Sequence, residues 1–366
     1  MIPLVDLKAQ YLGIKPEIDK TIQTVIDESA FFKGRHIEEF EEGFARALGV
    51  KHCVSVANAT DGLYLALRAL GVSYRNEVIT TANSFIATSE AIRETQAWPV
   101  FCDIDPHTFN IDVTKIESLI TKRTRVIIPV HLYGRAVNMR IVSAIANAHK
   151  LAIVEDCAQA VMAEWGGVKV GTIGDIGAFS FYPGKNLGAM GDAGAVVTND
   201  TDLALKIRRL ANHGALVKHD HEIEGVSSRM DGLQAAILNV KLKYINDWNW
   251  KRWENALHYQ EHLKDVEEIT LPDIPKPENH VFHLYVVRVK SRDEVRLKLA
   301  RQDIETGIHY PKALPNLKAY SYLCHKPKDF PIASYYQEEI LSLPIYPELT
   351  EMQIKHVSDC LKDAVN

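Results

Sequence analysis

The chain has 366 residues, 46% apolar and 8% aromatic, with 20 glycines and 15 prolines, a composition that excludes a disordered or fibrous protein. A net charge of −5 without a long basic run argues against nucleic-acid binding and against an anionic membrane surface, so small molecules are the expected partners. Cys53, Cys102, Cys157, Cys324 and Cys360 form no CxxC pair, which excludes a zinc pattern and a disulfide framework.

The length predicts one large α/β domain followed by a smaller C-terminal one. The opening MIPLVDLKAQ has no signal-peptide pattern, and no apolar run reaches about 18 residues. A cytoplasmic protein with reduced, buried thiols is therefore expected. Up to Leu48 the sequence reads as an N-terminal arm and a helix, with EEFEEGFARALG apolar at helical spacing and Gly49 as its stop. The adjacent Phe31 and Phe32 are expected in a core or a subunit contact. KHCVSVANATDGLYLALRALG reads as strand, turn and helix, with Leu63, Leu67 and Leu70 on the apolar face and Thr60 at the N-cap position. The same helix start can also seat an anion.

Next come EVITT, TSEAIRET, WPVFCDID, VTKIESLI, TRVIIPVHLYG, MRIVSAIANAHK and LAIVEDCAQA, alternating between strand-like and helix-like. The strand-like pieces are continuous apolar runs, the pattern of a largely parallel sheet covered on both faces. Ligands of such sheets bind at the strands' carboxyl ends, which directs attention to residues 58–60, 83–85, 131–134 and 156–159. Asp156, after the run LAIV and a glutamate, is either a buried carboxylate in need of a partner or a helix N-cap.

The stretch FSFYPGKNLGAMGDAG then places Lys185 among small residues. A phosphate-binding loop would need Gly at Phe179 and Ser or Thr at Asn186, so that reading fails. A covalent role or no role is left. GAVVTND follows as a strand and TDLALKIRRLANHG as a helix. The polar loop HGALVKHDHEIEGVSS carries His219 and His221 around an aspartate, read as solvent-exposed, and no metal is assigned. A long helical pattern from Arg229 to about Leu263, with Trp248, Trp250 and Trp253, links the domains, and Pro272, Pro275 and Pro277 mark the linker. VFHLYVVRV as a strand, DEVRLKLARQ as a helix, TGIHYP as a strand end and two more helices complete an α+β unit.

Taken in order, ANATDG, NSFIAT, IIPVHLYG, VEDCAQA, GDIGAFSFYPGKNLGAMGDAGAVVTND, SRMDGLQAA, TGIHYP and LSLPIYP resemble the sugar aminotransferases of the DegT/DnrJ/EryC1/StrS family over nearly the whole chain. The resemblance implies a fold-type I, α/β aminotransferase-like enzyme. Residues 1–245 would form the arm and a large domain with a mainly parallel sheet between helices, and residues 246–366 the linking helix and the smaller α+β domain. It implies pyridoxal 5'-phosphate as cofactor, a nucleotide-linked keto sugar aminated at C3 or C4 and an amino acid, L-glutamate, as substrates, and a homodimer with active sites at the subunit interface.

By the same resemblance Lys185 holds the cofactor as an internal aldimine and moves protons. Asp156 pairs with the pyridine nitrogen, Gln159 meets the ring, and Phe85 stacks on it. Ala59, Thr60 and Ser180 take the phosphate. Ser227 stands where relatives carry an asparagine that reaches the neighbouring subunit's cofactor. Lys218, Arg229, His309 and Tyr310 fall in regions that approach the sugar or its diphosphate. Val161 and Met162 replace a His-Gly pair common in relatives. Two other readings accompany this one. The first, a sugar dehydratase of the same fold, is opposed by Lys185, because such enzymes carry histidine there. The second is a non-catalytic or regulatory protein that binds the cofactor.

Overall fold

The computed structural model describes residues 1–366, apart from the side chain of Pro277. The helices are α1 (Leu7–Asp27), α2 (Arg35–Leu48), α3 (Ala59–Ala69), α4 (Ala87–Glu94), α5 (Met139–His149), α6 (Thr201–Ala211), α7 (Gly232–Leu242), α8 (Ile245–Leu263), α9 (Arg292–Ala300), α10 (Pro331–Tyr336) and α11 (Glu351–Val365). The strands are β1 (His52–Val56), β2 (Glu77–Thr81), β3 (Trp98–Cys102), β4 (Thr124–Ile128), β5 (Ala152–Asp156), β6 (Glu164–Trp165), β7 (Val168–Lys169), β8 (Ile176–Ser180), β9 (Gly194–Thr198), β10 (Ile269–Thr270), β11 (Tyr285–Val289) and β12 (Ile340–Leu343).

A seven-stranded sheet runs in the order β1-β9-β8-β5-β4-β2-β3. From β8 to β3 every pairing is parallel, while β9 runs antiparallel to both β1 and β8. Six strands therefore share one direction, as the continuous apolar runs predict. Period-two alternation sends Cys53, Phe179, Ala195 and Val197 into the core under Phe40 and Phe44 of α2. Val54, Val56, Ala178 and Val196 face the opposite core under Leu63 and Leu67 of α3. A fully buried Phe or Leu of this kind contributes about 1.5–3 kcal/mol, so both faces are firmly held.

A second sheet, β10-β11-β12, is antiparallel and packs against α8, α9 and α11. The first residues of the chain join this layer: Ile2 N–H donates to Asp303 O at 2.7 Å, and Ile2 O accepts from Glu305 N at 2.9 Å. Among the described residues no helix is long and apolar enough to cross a membrane. Cys53, Cys102 and Cys157 are buried, but Cys324 is exposed and Cys360 half-buried, so the expectation of buried thiols fails for those two.

Four element expectations need correction. Most of the arm is the 21-residue helix α1, hidden in the sequence by Pro16 and by the non-helical Ile14 inside it. VTKIESLI forms only a short 3₁₀ turn at Glu117–Leu119, with none of its three residues buried. The long pattern after Arg229 is two helices, because the chain breaks at residues 243–244. The N-cap of α3 is Asn58, whose side chain accepts from Asp61 N at 2.8 Å; Thr60 lies inside the first turn.

Candidate active site

The carboxyl ends of β1, β5 and β8 converge. Val56 and Ser180 both pair with Gly194, and Asp156 pairs with Ala178. Gly194 makes the approach of α3 possible, since a Cβ there would lie 2.5 Å from the Asn58 carbonyl carbon and 2.8 Å from Ala59 N. With Asn58 satisfying Asp61, the N–H groups of Ala59 and Thr60 have no intrahelical acceptor and face outward with the positive end of α3. Thr60 keeps its hydroxyl free of the capping role the sequence assigns it. Ser180, 8% exposed, accepts from Tyr182 N at 3.3 Å and retains a hydroxyl proton to donate. Ala57 N–H beside them donates to Ser228 Oγ at 3.1 Å. The arrangement is an anion seat.

Asp156, 5% exposed, ends β5. Its Oδ2 accepts from Thr88 Oγ1 at 2.7 Å and its Oδ1 from Ala158 N at 3.1 Å. No helix starts here, so the N-cap alternative fails. Burial raises the Asp156 proton affinity above the usual carboxylate range, opposed by Thr88, by Ala158 and by the charge of Lys185. A buried carboxylate under this strain favours a cationic partner. Thr88, which the sequence reading missed, faces the sheet from α4.

Lys185 follows a turn closed by its own N–H to Tyr182 O at 2.8 Å. The residue is half-buried overall, but its amine is desolvated and pushed down to about 8, with Asp156 pulling the other way. The site thus pairs an amine of lowered proton affinity with a carboxylate of raised affinity, a pattern that accompanies proton transfer.

The remaining wall comes from two directions. Gln159 Oε1 accepts from Tyr133 N at 2.6 Å, and its Nε2 donates to the Tyr310 hydroxyl at 3.0 Å. Tyr133, a buried aromatic at φ 60°, donates from its hydroxyl to His309 O at 2.5 Å. A bulky residue in the left-handed region needs its surroundings to hold it there, and these two bonds do so. Phe85 is 55% exposed, with its ring centroid 5.6 Å from that of Tyr310. His309 Nδ1 lies 2.8 Å from Ser342 Oγ, and burial, then the Lys185 charge, push its pKa down to about 4. The imidazole is therefore neutral near pH 7. Val161 and Met162 pack into the core with Phe40 and Phe181.

His131, Glu155 and Cys157 lie close together and buried. His131 Nδ1 accepts from Val137 N at 3.0 Å, which leaves Nε2 to donate to Glu155 Oε2 at 3.0 Å. Glu155 Oε1 accepts from the N–H groups of Ile173 and Gly174 at 2.8 and 2.7 Å. With both ring nitrogens and both carboxylate oxygens occupied, the cluster braces β5 and is not a metal centre.

Three predicted site residues are not brought to Lys185. Lys218 and Ser227 are exposed on the loop between α6 and α7. Arg229 places its guanidinium 4.7 Å from the centre of the Phe32 ring. Phe31 and Phe32 are 49% and 51% exposed rather than core. Phe32 and Arg229 border a cavity of about 250 Å³ that is lined by neither Lys185 nor Asp156.

A sequence profile of the DegT/DnrJ/EryC1/StrS aminotransferase family matches residues 13–362. A protein of Saccharopolyspora erythraea named erythromycin biosynthesis sensory transduction protein EryC1 is 43% identical, with 99% of each chain covered. The dTDP-3-amino-3,6-dideoxy-alpha-D-galactopyranose transaminase of Aneurinibacillus thermoaerophilus is 42% identical over 99% of each chain. The crystal structure of S. venezuelae DesV in complex with a ketimine intermediate superposes with a TM-score of 0.96 at 39% identity, covering 99% of this chain and 98% of the other.

Proposed function

The chain belongs to the DegT/DnrJ/EryC1/StrS aminotransferase family, whose members depend on pyridoxal phosphate, and from that premise we propose how it works. It transfers an amino group from L-glutamate to C3 of a nucleotide-linked keto hexose, as the name of the Aneurinibacillus relative suggests. The observation that carries this reading is the convergence on one sheet edge of the Lys185 amine, the Asp156 carboxylate and the free amides of α3.

The donor set fits pyridoxal phosphate. The N–H groups of Ala59 and Thr60, with the hydroxyls of Thr60 and Ser180, hold the phosphate. Asp156 would keep the ring nitrogen protonated, and Thr88 fixes the carboxylate for that task. Gln159, held by Tyr133 and Tyr310, and Phe85 would bound the space for the ring. When bound, the cofactor supplies a carbonyl that accepts the amino group and a cationic ring that withdraws electrons. Lys185 would hold the cofactor, and its free amine would take and return the proton on the reacting carbon. Its lowered proton affinity makes a neutral amine available near physiological pH. The keto acid would leave before the keto sugar enters the same site, so the kinetics are expected to be ping-pong.

His309, neutral, and Tyr310 face the sugar. Lys218, Ser227 and Arg229 serve the site of a second copy in a homodimer, where the basic pair meets the diphosphate. The exposed Phe31 and Phe32 belong to that contact. Residues 1–245 form the cofactor-binding domain and residues 246–366 the smaller one, in a cytoplasmic protein.

The test is incubation of the loaded enzyme with L-glutamate and a panel of dTDP- and UDP-linked 3-keto and 4-keto hexoses, with products identified by NMR. A 3-amino sugar is expected. A 4-amino product overturns the assigned carbon. The name of the Saccharopolyspora relative and Ser227 in place of asparagine motivate the regulatory reading. That reading prevails if no sugar is aminated while cofactor is bound.

A further inference from the structure

The residue next to the reactive lysine is tied to parts of the chain distant from it in sequence. Asn186 is 3% exposed. Its Nδ2 donates to Asn249 Oδ1 at 2.7 Å and to Val281 O at 2.9 Å, and its Oδ1 lies 3.2 Å from His283 Nδ1. Asn249, on α8, donates in turn to Val161 O at 3.0 Å. Both protons of the Asn186 amide are thus directed at carbonyl oxygens, and its own oxygen needs a donor. Burial holds His283 neutral, and the Lys185 charge adds to that effect. His283 Nδ1 therefore carries the proton and donates to Asn186, leaving Nε2 as an acceptor. The tautomer follows from the network.

The far side of the same loop is anchored separately. Gly188 turns so tightly that a Cβ would lie 2.2 Å from Pro183 O, and Lys241 of α7 donates to Gly188 O at 2.7 Å. Gln234 of α7 accepts from Met190 N at 2.8 Å. Of the loop's anchors, only Asn186 adjoins the lysine, and its side-chain partners come from α8 and from residues 281–283 leading into β11.

We propose that Asn186 is a positioning residue for Lys185, locked by Asn249 and His283, so that the linking helix and the approach to β11 set where the reactive amine stands. A shift of the C-terminal layer would then be felt at the amine through one buried amide. This inference rests on Lys185 being the cofactor-bearing lysine.

The experiment compares Asn186→Ala, His283→Leu, the double variant and His283→Gln as full-length, cofactor-loaded proteins. Three quantities are read: the midpoint pH of the cofactor's absorbance change, kcat and KM for each substrate, and thermal midpoint. Misplacing a reacting group through remote contacts costs on the order of 10- to 100-fold in kcat, expected for both single variants. KM should stay within about threefold, since the substrate contacts are untouched. The absorbance midpoint should move by about half a unit or more. The double variant should be no worse than the worse single, because one relay is broken once. His283→Gln, which can still donate to Asn186, should recover most of kcat.

Wild-type kcat and an unmoved absorbance midpoint in soluble Asn186→Ala, with only a lower thermal midpoint, overturn the proposal. If that variant does not fold, Asn249→Ala breaks the same relay from α8 and decides by the same readouts. A cofactor band that survives unchanged in Lys185→Ala overturns the assignment of Lys185 itself, which separates the two failures.

Discussion

Two regions said to serve one reaction differ in how they are built. Along the edge of β5 and β8, Asp156, Gln159 and Ser180 are 5–8% exposed, and each has hydrogen-bond partners within the chain. On the loop between α6 and α7, Lys218 and Ser227 are exposed, and Arg229 leans on an exposed phenylalanine. The first region is preorganised by a single chain: Thr88 and Ala158 fix Asp156, Tyr133 fixes Gln159 and Tyr182 fixes Ser180 before any ligand arrives. The second presents cationic and hydroxyl groups with little local purpose, as expected of residues addressed to another copy.

Substitutions in the two regions should fail in different ways. The largest effect belongs to Lys185→Ala, which removes both cofactor attachment and proton transfer; kcat should fall by about 10³-fold or more, measured by product formation. Asp156→Ala comes next. Breaking a buried charged pair costs about 3–5 kcal/mol, roughly 10²- to 10⁴-fold in kcat/KM, and the purified variant should retain less cofactor by absorbance. Full activity would mean that another group partners the ring nitrogen.

Arg229→Ala should act on binding, raising KM for the nucleotide sugar about tenfold with little change in kcat, in keeping with a charge-assisted hydrogen bond. Mixing Lys185→Ala subunits with Arg229→Ala subunits sharpens the comparison. A shared site gives heterodimers with one intact site and wild-type KM. Sites built from one chain give only the two parental behaviours.

The pH dependence of cofactor capture probes the first region alone. Lys185 is pushed down to about 8, so protonated amine dominates below that pH and neutral amine above it. Capture by stripped enzyme, followed by stopped-flow absorbance, should speed up as pH rises through about 8 and then level off. A pH-independent rate would contradict the desolvated amine. The smallest effect is that of Ser227→Asn, expected to slow cofactor loss in dialysis by a few-fold, on the order of one hydrogen bond.

The same division governs what the sequence reveals. The α/β order and the parallel sheet are legible because strands such as β8 and β9 are buried along their whole length, so Ile176–Phe179 and Gly194–Val197 carry no polar side chain. Asp156 and Thr60 are legible as residues at a strand end and a helix start, Lys185 as a lysine among small residues, and the family resemblance joins them. The capping role given to Thr60 went astray because Asn58, two positions earlier, is an equally good cap. Thr88, Asn186 and His283 were missed since their partners lie 68, 63 and 97 positions away, counting to Asp156, Asn249 and Asn186. Local spacing carries no trace of such pairs. Asn186 entered the sequence argument only as the residue that ruled out a phosphate loop.

Lys241 supplies an internal rival for the central assignment. It too is buried and pushed down to about 8, yet its amine is occupied by Gly188 O at 2.7 Å and Gln10 Oε1 at 3.1 Å. Among the described residues, Lys185 Nζ has no such acceptor. Lowered proton affinity alone therefore does not choose between the two lysines, and geometry does. Borohydride reduction of the cofactor-loaded protein, followed by peptide mapping by mass spectrometry, decides directly. Reduced cofactor is expected on Lys185, whereas attachment at Lys241, or at no lysine, would overturn the assignment.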